Sequence, residues 1–547
     1  MSDRDKPTQL IDEIDYEIGQ DNVQAKIGPF GLDIHNPVFL IAGLGVVAFV
    51  LGTLMLPEEA TALFAASRDY VTGNFSWFFI LAGNIFVLFG LALIVSPLGS
   101  VRLGGADATP DYGYPGWFAM LFAAGMGIGL MFYGVSEPLS HFSSSFADTA
   151  GSPDSWAPLA GAPGDAEAAT RLAMAATIYH WALHPWALYA VVALALGLVC
   201  YNNGLPLSIR SAFYPIFGDR IWGWTGHIID VVAVFATLFG LATSLGFGAE
   251  QASAGLNYLF GLSQSDATKV GLIVAITGVA TISVLAGLDG GVKRASEINM
   301  VLAFLLLVFT LIAGPTAELV SLFFGSLGAY ITELPALSQP FNREDANYSQ
   351  GWTAFYWAWW ISWSPFVGMF IARVSRGRTV REFLICVMLI PSLVCGLWMS
   401  GCGGTAIMQV VNDGFTGAAD AALPTQLFEM LSQLPLAGIT SLIGIILVLV
   451  FFITSSDSGS LVIDTITSGG QIDGPVPQRV FWCTFEGLVA IALLLGGGLG
   501  ALQAMAVTTG FPFAALLLLM CVAIVMGLMQ EYRIDKSARR SLKTRET

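Results

Sequence analysis

The segment WAWWISWSPF, residues 357–366, carries four tryptophans within an apolar stretch that covers residues 351–373. A stretch of this length forms a helix long enough to cross the ~30 Å hydrocarbon core of a membrane. From a helix start near Gly351, a rise of about 1.5 Å per residue places Trp357 to Trp363 roughly 9 to 18 Å along the helix, near the bilayer midplane. Tryptophans that anchor a helix at headgroup depth do not explain this position. The segment therefore predicts a transmembrane helix whose aromatic surface serves either packing or binding.

The composition of the whole chain agrees with a membrane location. Of its 547 residues, 55% are hydrophobic and 11% are charged, whereas soluble domains carry roughly twice that charged fraction. Apolar runs of about 20 residues recur along the chain and predict twelve transmembrane helices in an all-α membrane protein. The predicted spans lie near residues 37–57, 76–98, 115–139, 171–200, 226–252, 270–288, 296–316, 351–373, 383–402, 438–465, 479–497 and 506–529.

The distribution of charge predicts how the chain is oriented. The first 36 residues are polar and acidic, which is not the pattern of a cleavable signal peptide. An even number of spans places both termini on one side. With both termini in the cytoplasm, most of the 23 Lys and Arg residues fall in cytoplasmic tails and loops, as the positive-inside rule requires. The basic C-terminal tail, residues 530–547, predicts either simple anchoring or contact with anionic membrane lipid.

Charge and motifs argue against several other function classes. A net charge of −16 argues against nucleic acid as a partner. His180 and His184 have the spacing of metal ligands, but Trp181 stands where a zinc protease has Glu, and no third ligand is evident. The chain has no G-x-S-x-G or H-E-x-x-H motif, so we do not expect an enzyme. A channel and a solute-sensing receptor stay open as alternatives.

A second aromatic cluster lies in the fourth predicted span. The segment HWALHPWALY, residues 180–189, places Trp181, Trp186 and Tyr189 around the helix breaker Pro185 at mid-membrane depth. Two aromatic surfaces at one depth suggest a cage for a cation that has no hydrogen to donate, such as a trimethylammonium or dimethylsulfonium group. Each ring face contributes about 0.5 to 2 kcal/mol to binding such a cation.

A third segment, AAGMGIGLMFYGVSEP at residues 123–138, is rich in glycine. Each glycine, including Gly125, Gly127 and Gly129, weakens a helix by about 1 kcal/mol relative to Ala. Close helix packing is one explanation. The other is an unwound segment whose carbonyls bind sodium and whose N–H groups bind a carboxylate. Because Pro365 interrupts the eighth span at comparable depth, we predict the substrate site between these two interrupted helices.

Four segments resemble the most specific motifs of the betaine/choline/carnitine transporter family, the BCCT secondary transporters. They are GMGIGLMFYGVSEPLSHF, HWALHPWALY, WAWWISWSPFVGMFIARVSRGRTVREF and FFITSSDSGS. The resemblance extends from about residue 30 to residue 530. It implies a leucine-transporter-type fold with two five-helix inverted repeats, assembled as a homotrimer in the bacterial inner membrane.

The resemblance also implies the domain organisation. The expected parts are an acidic cytoplasmic tail (1–36), two peripheral helices (37–112), a first repeat (113–316), an extracellular linker or amphipathic segment (317–350), a second repeat (351–529) and a basic cytoplasmic tail (530–547).

Roles for individual residues follow from the same resemblance. The substrate would be bound by an aromatic prism and the glycine segment, namely Trp181, Trp186, Tyr189, Trp360, Gly125, Met126, Gly127 and Gly129. The permeation path would use Trp357, Trp359 and Trp363. Sodium, the coupling ion, would be bound by carbonyls of Ala123 and Met126 together with Phe451, Thr454 and Ser455. For Thr454 and Ser455, hydrogen bonding within their own helix is the alternative. No organic cofactor is implied.

A second sodium site is only partly matched. Thr237 and Phe366 fit the family pattern, but Leu241 stands where a second threonine is needed. The stretch DVVAVFATLFGLATSLGFGAEQ, residues 230–251, contains no Arg or Lys that would replace sodium with a fixed charge.

The implied function is sodium-coupled import of a zwitterionic osmolyte by alternating access. Gly129 stands where choline carriers of the family have an acid, which favours glycine betaine or dimethylsulfoniopropionate. Sodium-independent exchange, or uptake of choline or carnitine, is the alternative within the family. Glu137 and Asp457, two acids inside predicted spans, suggest either function or local hydrogen bonding.

Overall fold

The computed structural model describes residues 16–27, 30–125, 127–286, 289–472 and 474–546. Two antiparallel strands, β1 (Asn22–Ile27) and β2 (Phe30–His35), form a hairpin near the N-terminus, and the regular elements that follow are helices. The predicted all-α class is confirmed.

The first half of the chain forms ten helices within the described ranges. They are α1 (Val38–Met55), α2 (Pro57–Val95), α3 (Tyr114–Gly125), α4 (Ile128–Phe146), α5 (Ala166–Trp181), α6 (Leu183–Asn203), α7 (Tyr214–Phe217), α8 (Trp224–Phe260), α9 (Asp266–Ala286) and α10 (Asp289–Ala313). Short 3-10 helices cover Pro97–Ser100, Ile209–Phe213 and Gly218–Trp222.

The second half contributes nine more helices to the described part of the chain. They are α11 (Thr316–Leu337), α12 (Ala346–Tyr348), α13 (Phe355–Val374), α14 (Val380–Asp413), α15 (Gly417–Asp420), α16 (Gln426–Ser432), α17 (Ala437–Thr467), α18 (Val476–Leu495) and α19 (Gly498–Glu546). A π-helical turn, Ser349–Ala354, leads into α13, and a 3-10 helix covers Leu423–Thr425.

Each predicted span overlaps a helix or, for the third and fourth spans, a pair of helices. In the described residues, 11 helices are long and apolar enough to cross a membrane when α5 and α6 are taken together, and the bent pair α3 and α4 brings the number to 12.

Two helices differ from what the apolar runs of the sequence predict. The segment expected to be a linker, 317–350, contains the 22-residue helix α11, which is itself apolar enough to span but mostly not buried inside the protein. Conversely, the predicted span 351–373 corresponds to α13, which is not one of the helices counted above as apolar enough to cross a membrane, and Trp, Ser and Pro occupy many of its positions. Most of its 20 residues are nevertheless buried, so neighbouring helices rather than lipid surround it.

The helix α13 forms the centre of the bundle. It packs against α6, α8 and α19, while α4 packs against α5 and α14, and α17 packs against α8. The interrupted pairs α3 and α4, and α5 and α6, therefore meet the tryptophan-rich helix in the protein interior. The inverted-repeat organisation, the domain limits and the trimer stay predictions.

The N-terminal hairpin fastens the ends of two helices. The Asn22 side chain donates a hydrogen bond to the carbonyl of Ser468, after α17, over 2.8 Å. The Gln478 side chain of α18 bonds both the N–H and the carbonyl of Asp33, over 2.5 and 3.0 Å. The hairpin thus connects the ends of α17 and α18 to the start of the chain.

Candidate functional site

A cavity of about 240 Å³ lies where α3 and α4 meet α13 and α17. Pockets for drug-sized ligands measure about 300 to 1,000 Å³, so this cavity suits a solute of few heavy atoms. Most of the predicted site residues line it, and these are Ala123, Gly127, Gly129, Trp181, Tyr189, Trp359, Trp360, Trp363, Phe366, Phe451, Thr454 and Ser455. The predicted ligand Met126 lies outside the described residues, and Gly125 is the last residue of α3.

The glycine segment interrupts the helix as predicted. Gly127 is extended, with φ −170° and ψ −173°, and the axes of α3 and α4 differ in direction by 65°. A Cβ atom at Gly129 would lie 2.8 Å from Cη2 of Trp359 and 3.0 Å from Cη2 of Trp181. Only glycine at 129 therefore allows the two indole rings to approach the backbone so closely.

The N-terminus of α4 faces the cavity. Gly127, Ile128, Gly129 and Leu130 all line it. The first N–H groups of a helix have no acceptor within the helix, and they give its N-terminus a partial positive charge. This end of α4 can accordingly bind an anionic group such as a carboxylate.

A second interruption separates α5 from α6. Ala182 has φ −103° and ψ −121°, outside the helical region, and Pro185 follows in the first turn of α6. The break places Trp181 at the end of one helix and Tyr189 in the next, so that both reach the cavity. Trp186 does not line the cavity. It is fully buried and contacts the Tyr189 ring edge to face, with 5.4 Å between ring centroids.

Three rings form what we call the aromatic wall of the cavity: Trp181, Tyr189 and Trp360. Trp181 and Trp360 meet at 89° with 5.0 Å between centroids, and Tyr189 meets Trp360 at 79° with 5.6 Å between centroids. Rings at nearly right angles form a corner in which a cation can contact more than one ring face within the ~6 Å range of cation–π attraction.

The indole N–H groups around the cavity are all used inside the protein. Each one donates to an acceptor on another helix. Trp181 donates to Glu137 Oε2 at 2.6 Å, and Trp360 donates to the carbonyl of His180 at 3.0 Å. Trp359 donates to Ser244 Oγ at 3.1 Å, and Trp363 donates to the carbonyl of Gly240 and to Ser244 Oγ at 2.9 Å each. The rings consequently offer the cavity their faces rather than hydrogen-bond donors.

Several residues around the cavity, including acceptors of these bonds, are not predicted from the sequence. Ser244 was not predicted as a site residue, and neither were Ser296 and Met300 of α10, which also line the cavity. Glu137 is recognisable as an intramembrane acid, but its partner is not. A buried indole N–H requires an acceptor, which is a usable signal. However, Trp181 is 44 positions from Glu137 and Trp359 is 115 positions from Ser244, so sequence spacing does not identify the pairs.

The tryptophans assigned to the permeation path fall into two groups. Trp359 and Trp363 line the cavity. Trp357 lies on another face of α13, fully buried, with its ring stacked on His184 at 5.3 Å and 14° and in edge contact with Tyr179. His184 in turn bonds the side chain of Asn84 at 3.0 Å. Trp357 thus belongs to the packing between helices.

Four further residues that line the cavity form what we call the oxygen wall: Ala123 of α3, and Phe451, Thr454 and Ser455 of α17. The Thr454 hydroxyl donates to the carbonyl of Phe451 over 3.2 Å, which is the bond within its own helix that the sequence left open. The oxygen atom of that hydroxyl still has lone pairs for a cation. Neutral oxygen ligands of this kind suit a hard cation such as sodium.

Of the residues predicted for the second ion site, only Phe366 lines the cavity. Thr237 is fully buried, and its hydroxyl donates to the carbonyl of Ala233 at 2.7 Å. Leu241, one turn later, packs closely against Gly459 of α17. Phe366 lines the cavity, whereas Thr237 does not.

Comparison with known proteins identifies the family. The model of the BCCT, betaine/carnitine/choline, transporter family matches residues 37–533. The chain is 64% identical over 529 residues to a glycine betaine/proline/choline transporter of Vibrio parahaemolyticus, with 96% of each chain covered. It is 53% identical over 529 residues to glycine betaine transporter 1 of the same organism, covering 95% of this chain and 98% of the relative.

A more distant relative agrees with these matches. The glycine betaine transporter of Acinetobacter baylyi is 41% identical over 517 residues, covering 94% of this chain and 76% of the relative. The multi-helix fold, the central cavity and these matches lead to one conclusion: the chain belongs to the BCCT family of multi-pass membrane transporters.

Proposed function

We propose that this transporter imports a zwitterionic methylated onium osmolyte, glycine betaine or dimethylsulfoniopropionate, together with sodium. The observation that carries the proposal is the aromatic wall, whose two indole N–H groups are bonded within the protein. A primary ammonium group needs hydrogen-bond acceptors, whereas a trimethylammonium or dimethylsulfonium group needs only contact with ring faces. The aromatic wall supplies the second kind of contact.

The negative charge of the zwitterion, its carboxylate, can be bound at the N-terminus of α4. The N-terminus of α4, at Gly127 to Leu130, lines the same cavity and offers free N–H groups. We assign the substrate carboxylate to this end of α4. Choline has no carboxylate, and Gly129 supplies no negative side chain in its place, which favours a zwitterion.

Sodium is assigned to the oxygen wall. One sodium ion moving down a tenfold gradient releases about 1.4 kcal/mol, and a potential of 100 mV adds about 2.3 kcal/mol per charge. Import of a neutral zwitterion with one sodium therefore supports roughly 500-fold accumulation. Because Thr237 does not line the cavity, and because Leu241 packs against Gly459 and has no side-chain oxygen, we propose a stoichiometry of one sodium.

The names of the relatives agree with this substrate class. Three of them are named for glycine betaine, and the relative at 64% identity is also named for proline and choline. Broader uptake that includes choline and proline is therefore the second candidate function. Exchange without sodium is the alternative mechanism.

The wider organisation is part of the same proposal. The transporter would lie in the bacterial inner membrane with both termini in the cytoplasm, its basic C-terminal tail near anionic lipid, and three copies would form a trimer. Alternating access would move the repeats 113–316 and 351–529 against each other around the cavity.

Uptake of radiolabelled glycine betaine into proteoliposomes tests the proposal. The expected result is accumulation that requires an inward sodium gradient and is inhibited by unlabelled dimethylsulfoniopropionate more strongly than by choline. Equal inhibition by choline and proline would support the broader candidate. Uptake that ignores sodium, or that requires substrate preloaded inside the vesicles, would contradict sodium symport and support exchange.

A further inference from the structure

Glu137 of α4 lies at the N–H edge of one ring of the aromatic wall, that of Trp181. Its side chain is fully buried, and it is not among the residues that line the cavity. Oε2 accepts a hydrogen bond from Nε1 of Trp181 at 2.6 Å and another from the Tyr356 hydroxyl at 2.5 Å. The Trp181 ring therefore separates this carboxyl group from the cavity.

The other carboxyl oxygen is held by two imidazoles. Oε1 of Glu137 lies 2.6 Å from Nδ1 of His180 and 3.3 Å from Nε2 of His141. On its far side, Nε2 of His180 lies 2.9 Å from the hydroxyl of Thr353. An indole N–H can only donate, so Oε2 faces Trp181 with a lone pair however the protons of the two histidines are arranged.

We infer that Glu137 positions Trp181 and places a negative charge at the N–H edge of its ring, which makes the cavity selective for a cationic head group over a neutral one of the same shape. A hydrogen bond to a charged acceptor is stronger than a neutral one and fixes the plane of the indole. The charge also attracts a cation that rests on the ring face, because its own Coulomb attraction adds to that of the ring quadrupole.

The placement of Glu137 explains a second kind of selectivity. A carboxylate that lined the cavity would pair directly with ammonium groups and would accept their N–H hydrogens. At the N–H edge of Trp181, Glu137 contributes its charge but no hydrogen-bond acceptor to the cavity. This arrangement favours methylated cations over primary amines. The inference rests on the proposed function, since it assumes that the aromatic wall binds an onium group.

Competition binding with two ligands of one shape tests this inference. The ligands are glycine betaine and 3,3-dimethylbutanoate, in which a carbon atom replaces the charged nitrogen. Their inhibition constants against radiolabelled glycine betaine are compared for the wild type and for Glu137→Gln, whose amide oxygen can still accept from Trp181. We expect the inhibition constant of glycine betaine to rise about tenfold, and that of 3,3-dimethylbutanoate to stay unchanged or fall.

A purely structural role would weaken both ligands by the same factor, and that result would overturn the inference. A loss of glycine betaine affinity smaller than about threefold in Glu137→Gln would also overturn it, whatever the neutral-headed ligand does. The matched control is Glu486→Gln, which changes a second fully buried glutamate, in α18, that does not line the cavity. We expect this control to keep the wild-type ratio of the two inhibition constants.

A second variant covers the case in which Glu137→Gln does not reach the membrane. Trp181→Phe keeps an aromatic ring but removes the N–H that bonds Glu137. As in Glu137→Gln, the inhibition constant of glycine betaine should therefore rise relative to that of 3,3-dimethylbutanoate. If both single variants fold, adding Glu137→Gln to Trp181→Phe should change the ratio less than Glu137→Gln does alone. Independent, additive effects would contradict action through the Trp181 ring. Failure of the wild type to bind any onium solute would instead contradict the proposed function.

Discussion

The two sides of the central cavity differ in how their polar atoms are used. On the aromatic wall, both indole N–H groups are bonded to protein acceptors, so the two indole rings are fixed and offer the cavity their faces rather than their N–H groups. On the oxygen wall, the Thr454 hydroxyl uses its hydrogen within its own helix, and its oxygen remains available. Under the proposed function, this difference separates two cations in one small cavity, a diffuse organic one on ring faces and a hard inorganic one on oxygen atoms.

Removing the central ring of the aromatic wall should have the largest effect. Trp360 contacts both Trp181 and Tyr189, so Trp360→Ala would open the corner that the three rings form. We expect glycine betaine affinity to fall about 10- to 100-fold, since one cation–π contact contributes about 0.5 to 2 kcal/mol and its neighbours would lose their support. Binding of radiolabelled glycine betaine to purified wild-type and variant protein measures this change in affinity.

The control for this variant is Trp224→Phe, which changes an exposed tryptophan at the start of α8. Its affinity should match the wild type. An unchanged affinity in Trp360→Ala would mean that the substrate does not use the aromatic wall.

Changes in the oxygen wall should act on sodium rather than on the substrate. We expect Thr454→Ala to raise the sodium concentration that gives half-maximal uptake by about tenfold, because one oxygen ligand is lost. Uptake at saturating sodium should change far less. The sodium dependence of initial uptake rates measures both quantities.

Thr440→Ala is the matched control, since it removes another α17 hydroxyl that bonds back into its own helix and does not line the cavity. If the two variants show the same sodium dependence, the hydroxyl of Thr454 is not an ion ligand.

A methyl group at the glycine break should produce a moderate effect. In Gly129→Ala the new Cβ would lie too close to Trp359 and Trp181, so the rings must move. We expect KM for glycine betaine to rise about three- to tenfold, in line with the cost of overpacking. Gly116→Ala in α3, where no neighbour lies within 4 Å, should leave KM unchanged. Equal KM values in both variants would indicate that the two rings are free to shift.

The smallest effect is expected at the doubtful ion site. Thr237→Ala removes a hydroxyl that does not line the cavity, so the sodium dependence should keep both its midpoint and its slope. A slope that falls from about two to about one, as expected when one of two coupled ions is lost, would show that a second sodium ion binds after all.

Helix periodicity predicts part of this site well. At about 100° per residue, Trp359, Trp360 and Trp363 share one face of a helix and Trp357 lies beyond it. In the structure the first three line the cavity, and Trp357 packs against His184. The broken helix at Gly127 could also be predicted, because alternating glycines are costly in a continuous helix.

The neighbours of each side chain could not be predicted in this way. Trp186 lies on α6 with Tyr189, yet only Tyr189 lines the cavity, while Trp186 is fully buried against the Tyr189 ring. The bonds from Trp181 to Glu137 and from Trp359 to Ser244 join separate helices, and their pairing depends on how the bundle packs.

If one cavity binds an onium solute and sodium together, each should raise the affinity of the other. The most direct test is a titration of purified transporter with glycine betaine, monitored by tryptophan fluorescence, in sodium buffer and in potassium buffer of equal ionic strength. We predict saturable binding in sodium that weakens by about tenfold or more in potassium, and reciprocally tighter sodium binding in the presence of glycine betaine. The same affinity in both buffers would mean that glycine betaine binds independently of sodium, which would contradict joint binding in one cavity.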